Sequence, residues 1–297
     1  MDSGASVVGS LGLLPNKVAF PPRENWLRQL VHHEQDDYHR GFYQYFVNTA
    51  VYAGLEVICD DSLGAISNQA ISFVVDGIKC AYDISDYSVI QPQAWSGEFK
   101  CYFMIHHLPV FDVYPNLGSV PQQSFFDWDE YNLLVEGQYD CSSDLILHCQ
   151  NLGQIARRKL ARKILVDKGY NLTTECWPIS DFWKLGQKCC ASVHIPGSTP
   201  HILDRGQLQL MAMGVCTVSP NIYCSLGELR PEPNIHYVCV RDDFSNLIEK
   251  VDWCLANPTR CIEIGQNAKK LFNDSCTPHA IWKYIKKRIS PTIKMFA

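Results

Sequence analysis

Arg205 closes a polar loop, "HIPGSTPHILDR", that joins an apolar strand-like run (Ala191 to Ile195) to an apolar helix-like run ending at Gly214. A lone guanidinium in that place, beside Asp204 in what reads as a buried pair, can grip an anion bidentately. Two more arginines, Arg157 and Arg158, follow "DLILHCQ" in the basic run "QIARRKLARKILVDKG". Either of them, with Arg205, could clamp a diphosphate. Gly153 lies in the loop ahead of the basic run, and Gly197, Ser198 and Thr199 lie in the loop ahead of Arg205. Loops of that kind leading into helix N-termini present N–H groups to anionic ligands. Most of the charges on the basic run read as a solvated helix face.

Candidate proton acceptors lie in the first half. In "IKCAYDISDYSVIQP" an apolar strand runs into an acidic, turn-prone segment, so Asp86 could emerge at a strand end and take a proton from a hydroxyl. Asp83 and Asp86 are equally ordinary as turn carboxylates that cap backbone N–H groups. His106 and His107, closing "CYFMIHH", are the reserve bases. Asp127-Trp128-Asp129 offers two carboxylates that could hold Mn²⁺ or Mg²⁺ on a diphosphate, although no apolar strand precedes it. The fourteen cysteines are scattered without a CxxC pair, no zinc-type spacing appears, and Cys189-Cys190 read as buried free thiols. Neither GxGxxG after a strand nor GxxxxGK[ST] occurs, which argues against nicotinamide and P-loop enzymes.

The elements that must position these groups alternate. From residue 144 onward the chain reads strand, basic helix ended by Gly169, strand, helix with Ser180 as its N-cap, strand, helix, strand, strand and helix. Such alternation implies an α/β fold with a parallel sheet, whose ligands sit beyond the carboxyl ends of the strands. The first half reads as a helix over Trp26 to Ala53 followed by short strands at "EVICD", "ISFVVD", "IKCAYDIS" and "KCYFMIH". Residues 1–25 read as a Gly/Pro-rich surface wrap and 108–124 as a long loop of functional character. The 297 residues suffice for two domains, expected at 1–141 and 142–276, with 277–297 as a helix crossing back to the first. With 46% apolar and 19% charged residues and a net charge of −5, the chain reads as a globular protein, not a nucleic-acid binder. No secretory leader and no apolar run of about 18 residues appears, so the expectation is a cytoplasmic protein with reduced thiols and no membrane span.

On these residues the chain resembles the GT-B glycosyltransferases, which have two Rossmann-like domains with a cleft between them. Within them it resembles glycosyltransferase family 90, the protein O-glucosyl/O-xylosyltransferases and capsule-associated xylosyltransferases. The resemblance is carried by "HYVCVRDDFSNLIEKVDWCLANPTRCIEIGQNAKKLF", "ASVHIPGSTPHILDRGQLQLMAMGVCTVS" and "DLILHCQ…ARRKLA", about half the chain. It implies an inverting, metal-independent transfer of xylose or glucose from a UDP-sugar donor to a hydroxyl of an oligosaccharide or glycoprotein acceptor. No cofactor and no metal are implied. Asp86 matches the family's strand-end base in "ISDYS", with Ser88 in place of proline. Pro196-Gly197 stands where the family has Asp-Gly, and Asn151 near the place of an expected arginine. The acidic pair of many retaining enzymes would fall at His201 and Gln209, neither of them acidic; Gln209 could bind a ribose hydroxyl. Small transferases of this type also occur in large DNA viruses of algae, so a viral xylosyltransferase is an expectation as well. Competing readings are a metal-dependent transferase using Asp127 and Asp129, and a non-catalytic module that binds carbohydrate or nucleotide sugar.

Overall fold

The computed structural model describes residues 14–26, 33–67, 69–85, 90–122, 128–153, 155–175, 179–197 and 199–290. Two sheets with their helices organise them. The first begins with β1 (Lys17–Phe20) and α1 (His33–Tyr52), followed by β2 (Glu56–Cys59), β3 (Ala65–Ser67), β4 (Ala70–Val75), β5 (Ile78–Asp83), β6 (Cys101–Met104) and β7 (Leu117–Ser119). Its strand order is β2-β1-β4-β5-β6-β7, with β3 on β4. β1 corrects the reading of the N-terminal segment as a surface wrap. Four residues are too few to show a period, yet β1 pairs with β2 on one side and β4 on the other, and Val18 and Phe20 are buried. Likewise the loop expected over 108–124 contains β7, which extends the sheet parallel to β6. The β4–β5 hairpin turns on Asp76-Gly77, both at positive φ (47° and 81°), as a two-residue hairpin of right-handed twist demands.

The second half begins with α2 (Trp128–Glu136), β8 (Ile146–Leu147), α3 (Ala156–Lys168), β9 (Leu172–Thr173) and α4 (Ile179–Lys188). It continues with β10 (Ala191–Val193), α5 (Arg205–Met213), β11 (Thr217–Pro220), β12 (Val238–Val240), α6 (Leu247–Ala256), α7 (Pro258–Ser275) and α8 (Pro278–Ile289). Its sheet is all parallel in the order β12-β11-β10-β8-β9. The chain therefore steps outward from β8 to β9, then returns past β8 to β10 and beyond. The order reverses between β8 and β10, and ligands of open α/β sheets bind outside the strand ends at such a switch point. Gly169 and Gly214 end α3 and α5 in the left-handed conformation, as their sequence positions predict. Ser180 lies inside α4 and is not its N-cap, because the helix starts at Ile179.

Aromatic packing holds the first sheet to the last helix. Trp282 of α8 stacks on Phe46 of α1 at 5.3 Å between ring centroids, and its Nε1–H donates to Thr49 Oγ1 at 2.9 Å. Phe46 also stacks on Tyr82 at 4.0 Å. The two halves are tied behind the cleft, where Ser225 N–H donates to His107 O at 2.8 Å and Ser119 Oγ–H to Ser225 O at 2.6 Å. Among the described residues no helix is long and apolar enough to cross a membrane.

Candidate functional site

A cavity of about 470 Å³ opens at the switch point. The second half contributes the residues that follow β8 (Cys149, Gln150, Asn151), those that follow β10 (His194, Gly197, Thr199), and the start of α5 (Asp204, Arg205, Gly206). The first half contributes Phe42 of α1, His106 just past β6, and Gln122. The carboxyl edges of both sheets thus face one cleft. A second cavity of about 530 Å³ shares His194, Arg205 and Gly206 and extends to Arg162, Glu175 and Gln209. Arg205 lies at the junction of the two.

A polar network organises the floor. Asp204 caps α5 by accepting from Gln207 N–H at 3.1 Å. The sequence suggested an Asp204–Arg205 pair. Instead the Asp204 carboxylate meets His194 Nε2 at 2.6 Å and the Arg158 guanidinium at 2.9 Å. Asp204 serves as the N-cap, while Arg205, the first residue of the helix, has its guanidinium over the Tyr45 ring. Burial works against a charged Asp204, yet His194, Arg158 and the Gln207 N–H together hold its carboxyl well below the usual range. Gln150 joins β8 to β10 by donating to Ile195 O at 2.9 Å and accepting from Ile195 N–H at 2.7 Å. Its Nε2 also lies 3.0 Å from His194 Nε2. Gly206 permits this arrangement, since a Cβ there would stand 2.9 Å from His194 Cε1.

The two neighbouring arginines of α3 separate. Arg158 points into the cleft, but all three of its nitrogens are engaged: Nε–H with Ile195 O at 2.9 Å, Nη1 with Asn151 O at 3.0 Å, and Nη2 with Asp204. It positions the loops that follow β8 and β10. Arg157 lines neither cavity. One residue along a helix turns a side chain by about 100°, and Arg157 meets Asp242 at 3.1 Å with its guanidinium over the Phe244 ring. Arg205 has no hydrogen bond or ion pair among the described residues; its guanidinium lies 6.0 Å over the Tyr45 ring of α1, across the cleft. Of the two arginines that line the first cavity, it is the one with donors to offer.

His106 lines the same cavity as Arg205 from the first half. Its ring is buried, its Nδ1 lacks a hydrogen-bond partner, and burial, its main influence, pulls its pKa down to about 4. It is therefore neutral at pH 7 and able to accept a proton. His107 turns away into a separate pocket with Asp112, Arg230 and Arg288. Asp83 caps its own turn through Ser85 N–H at 2.7 Å and accepts from Tyr102 O–H at 2.7 Å, as the turn reading has it. Asp86, Ser198 and Asp127 lie outside the described residues. Asp129 is exposed at the start of α2 and lines neither cavity. Gly153 is exposed, at φ 38°, with its N–H on Asn151 Oδ1, and lines neither cavity. Thr199 and Gly197 line the first and buried Gln209 the second.

Sequence reasoning missed several contributors, among them His194, Gln150, Phe42 and Arg162. Arg162 Nη2 donates to His148 O at 2.7 Å and reaches Gln150 O at 3.2 Å, closing the carboxyl end of β8. A histidine in the last turn of an apolar strand, as in "ASVHIPG", was the available signal for His194. The expectation of uniformly reduced thiols also needs correction: Cys149, on the rim of both cavities, is disulfide-bonded.

No family model matches the chain. Two curated viral proteins share short segments with it. Uncharacterized protein 179R of Invertebrate iridescent virus 6 is 42% identical over 55 residues, 18% of this chain and 5% of that protein. Uncharacterized protein 035R of Invertebrate iridescent virus 3 is 28% identical over 65 residues, 22% of this chain and 6% of that protein. The chain thus matches about a twentieth of either relative's length, and the viral setting is the expectation these matches support. Among solved structures, TarM superimposes with a TM-score of 0.44 at 11% identity, over 71% of this chain and 50% of TarM. So partial a likeness adds nothing to the topology already described.

Proposed function

We propose that the protein is an inverting glycosyltransferase that moves a sugar, xylose or glucose, from a UDP-sugar to a hydroxyl of a glycan or glycoprotein acceptor, without a metal. The observation that carries this reading is the Arg205 guanidinium at the switch point, without a hydrogen bond or ion pair among the described residues, in one cavity with a buried neutral histidine from the first half. Arg205 is the group placed to meet the diphosphate and to neutralise the charge that develops on the leaving UDP. The start of α3 borders the same cavity through Ile155, which makes no side-chain cap to its first N–H groups. His106, or Asp86, takes the proton from the acceptor hydroxyl. The acceptor oxygen then bonds to the anomeric carbon as the bond from that carbon to the diphosphate oxygen breaks, and UDP leaves with the electron pair. Arg158, Gln150, His194 and Asp204 hold the two loops in register. Gln209, in the second cavity, suits a ribose hydroxyl.

The test is UDP release from UDP-xylose and UDP-glucose, with and without an oligosaccharide acceptor, in excess EDTA. Acceptor-dependent release is expected. Binding without release would leave a binding module. Loss of release in EDTA with rescue by Mn²⁺ would move the chemistry to Asp127 and Asp129.

A further inference from the structure

A second constellation lies away from the cleft and is independent of its function. Cys216, Cys254 and Cys261 are buried, and their three sulfur atoms all lie within 4.8 Å of one another. They come from three separate places: the residue before β11's first, α6 and α7. The thiols of Cys141, in the loop ahead of β8, and of Cys190, immediately before β10, also interact with that of Cys261. Three soft donors thus converge at the amino edge of the second sheet, the edge opposite the cleft, and two more stand beside one of them, Cys261.

We propose that these thiols form a structural zinc site, with Cys216, Cys254 and Cys261 as three ligands and Cys141 or Cys190 as the fourth. Tetrahedral zinc with bonds of about 2.3 Å spaces its sulfurs roughly 3.8 Å apart, so the observed triangle needs only a small contraction. One buried cysteine packs as a small apolar side chain and needs no further account. Three from three segments whose sulfurs meet at one point, with two more thiols beside Cys261, do need one. Cys141 adds a second sign. It holds φ 50°, a conformation rare outside glycine, and such strain persists where the surroundings require it. Each ligating thiol gives its proton to solvent as its sulfur–zinc bond forms, and the site assembles only in the folded chain, so zinc binding contributes to folding. The ion would cross-link α6 and α7 to the sheet edge. The sequence shows no CxxC pattern because the ligands come from separate elements.

The experiment is metal content by mass spectrometry on the full chain after gel filtration with a chelator. About one zinc per chain is expected, lost in Cys254→Ser and Cys261→Ser and retained in Cys80→Ser and Cys101→Ser, a thiol pair in the first sheet. Cys141→Ser and Cys190→Ser identify the fourth ligand by which of them loses zinc. Should the cluster variants fail to fold, cobalt replaces zinc in the wild-type chain, where an intense thiolate-to-cobalt absorption is expected. Wild-type protein carrying no zinc and giving no such absorption on cobalt addition overturns the proposal. So does zinc that survives both Cys254→Ser and Cys261→Ser.

Discussion

The two edges of the second sheet differ sharply although the same strands build both. At the carboxyl edge stand His148, Gln150, His194 and the Asp204–Arg158 pair, with Arg205 lining the cavity beside them. At the amino edge, a few residues back along the same strands, stand Cys190, Cys216 and the closely packed end of α5. The cause is the parallel sheet itself. Every strand enters at one edge and leaves at the other, so helix N-termini and the loops that lead into them collect at the carboxyl edge. The amino edge is left for packing. The backbones approach most closely there: a Cβ at Gly265 of α7 would lie 1.8 Å from Gly214 O.

The largest expected effect tests the carboxyl edge. His106→Gln should lower sugar transfer by roughly 10²–10⁴ while UDP binding persists, because removing a general base costs about that much. If Asp86→Asn does this instead and His106→Gln transfers at the wild-type rate, the proton goes to the carboxylate. At the amino edge Gly265→Ala should destabilise by roughly 3 kcal/mol or more, since the clash is with backbone and α5 and α7 must move apart. A denaturation midpoint equal to wild type would show that the approach is looser than described.

A third effect concerns pH. Burial pulls His106, His107 and His148 from 6.5 down to about 4. Between those values the unfolded chain binds protons that the folded chain does not, so stability is full above pH 6.5 and falls as the pH drops towards 4. Each ring contributes up to about 3 kcal/mol to that loss. Urea midpoints should therefore drop steeply below pH 6.5, and less steeply in His106→Gln. The smallest effect is expected of Arg157→Ala. It removes an exposed ion pair with Asp242 worth about 0–1 kcal/mol, and transfer should be unchanged.

Much of the second half was legible in sequence because strand and helix alternate with clear punctuation. Gly169 and Gly214 mark helix ends, and Asp204 precedes a helix that starts at Arg205. The first half was less so. β1 and β7 have four and three residues, too short for a period, and their burial comes from partners far along the chain. Arg205 could be singled out because no other charge stood near it apart from Asp204. Arg157 and Arg158 could not be told apart, since only the helix's rotation decides which faces the cleft. The network through Gln150 and His194 was hidden for a different reason: residues 44 positions apart in the chain meet only when β8 pairs with β10.

The central claim is that Arg205 at the switch point binds the donor's diphosphate. Calorimetric titration of UDP into wild type, Arg205→Ala and Arg157→Ala tests it most directly. A charge-assisted contact worth about 1.5–3 kcal/mol predicts that Arg205→Ala binds UDP roughly 10- to 150-fold more weakly, with Arg157→Ala equal to wild type. Undiminished affinity in Arg205→Ala, or a loss confined to Arg157→Ala, would contradict the account.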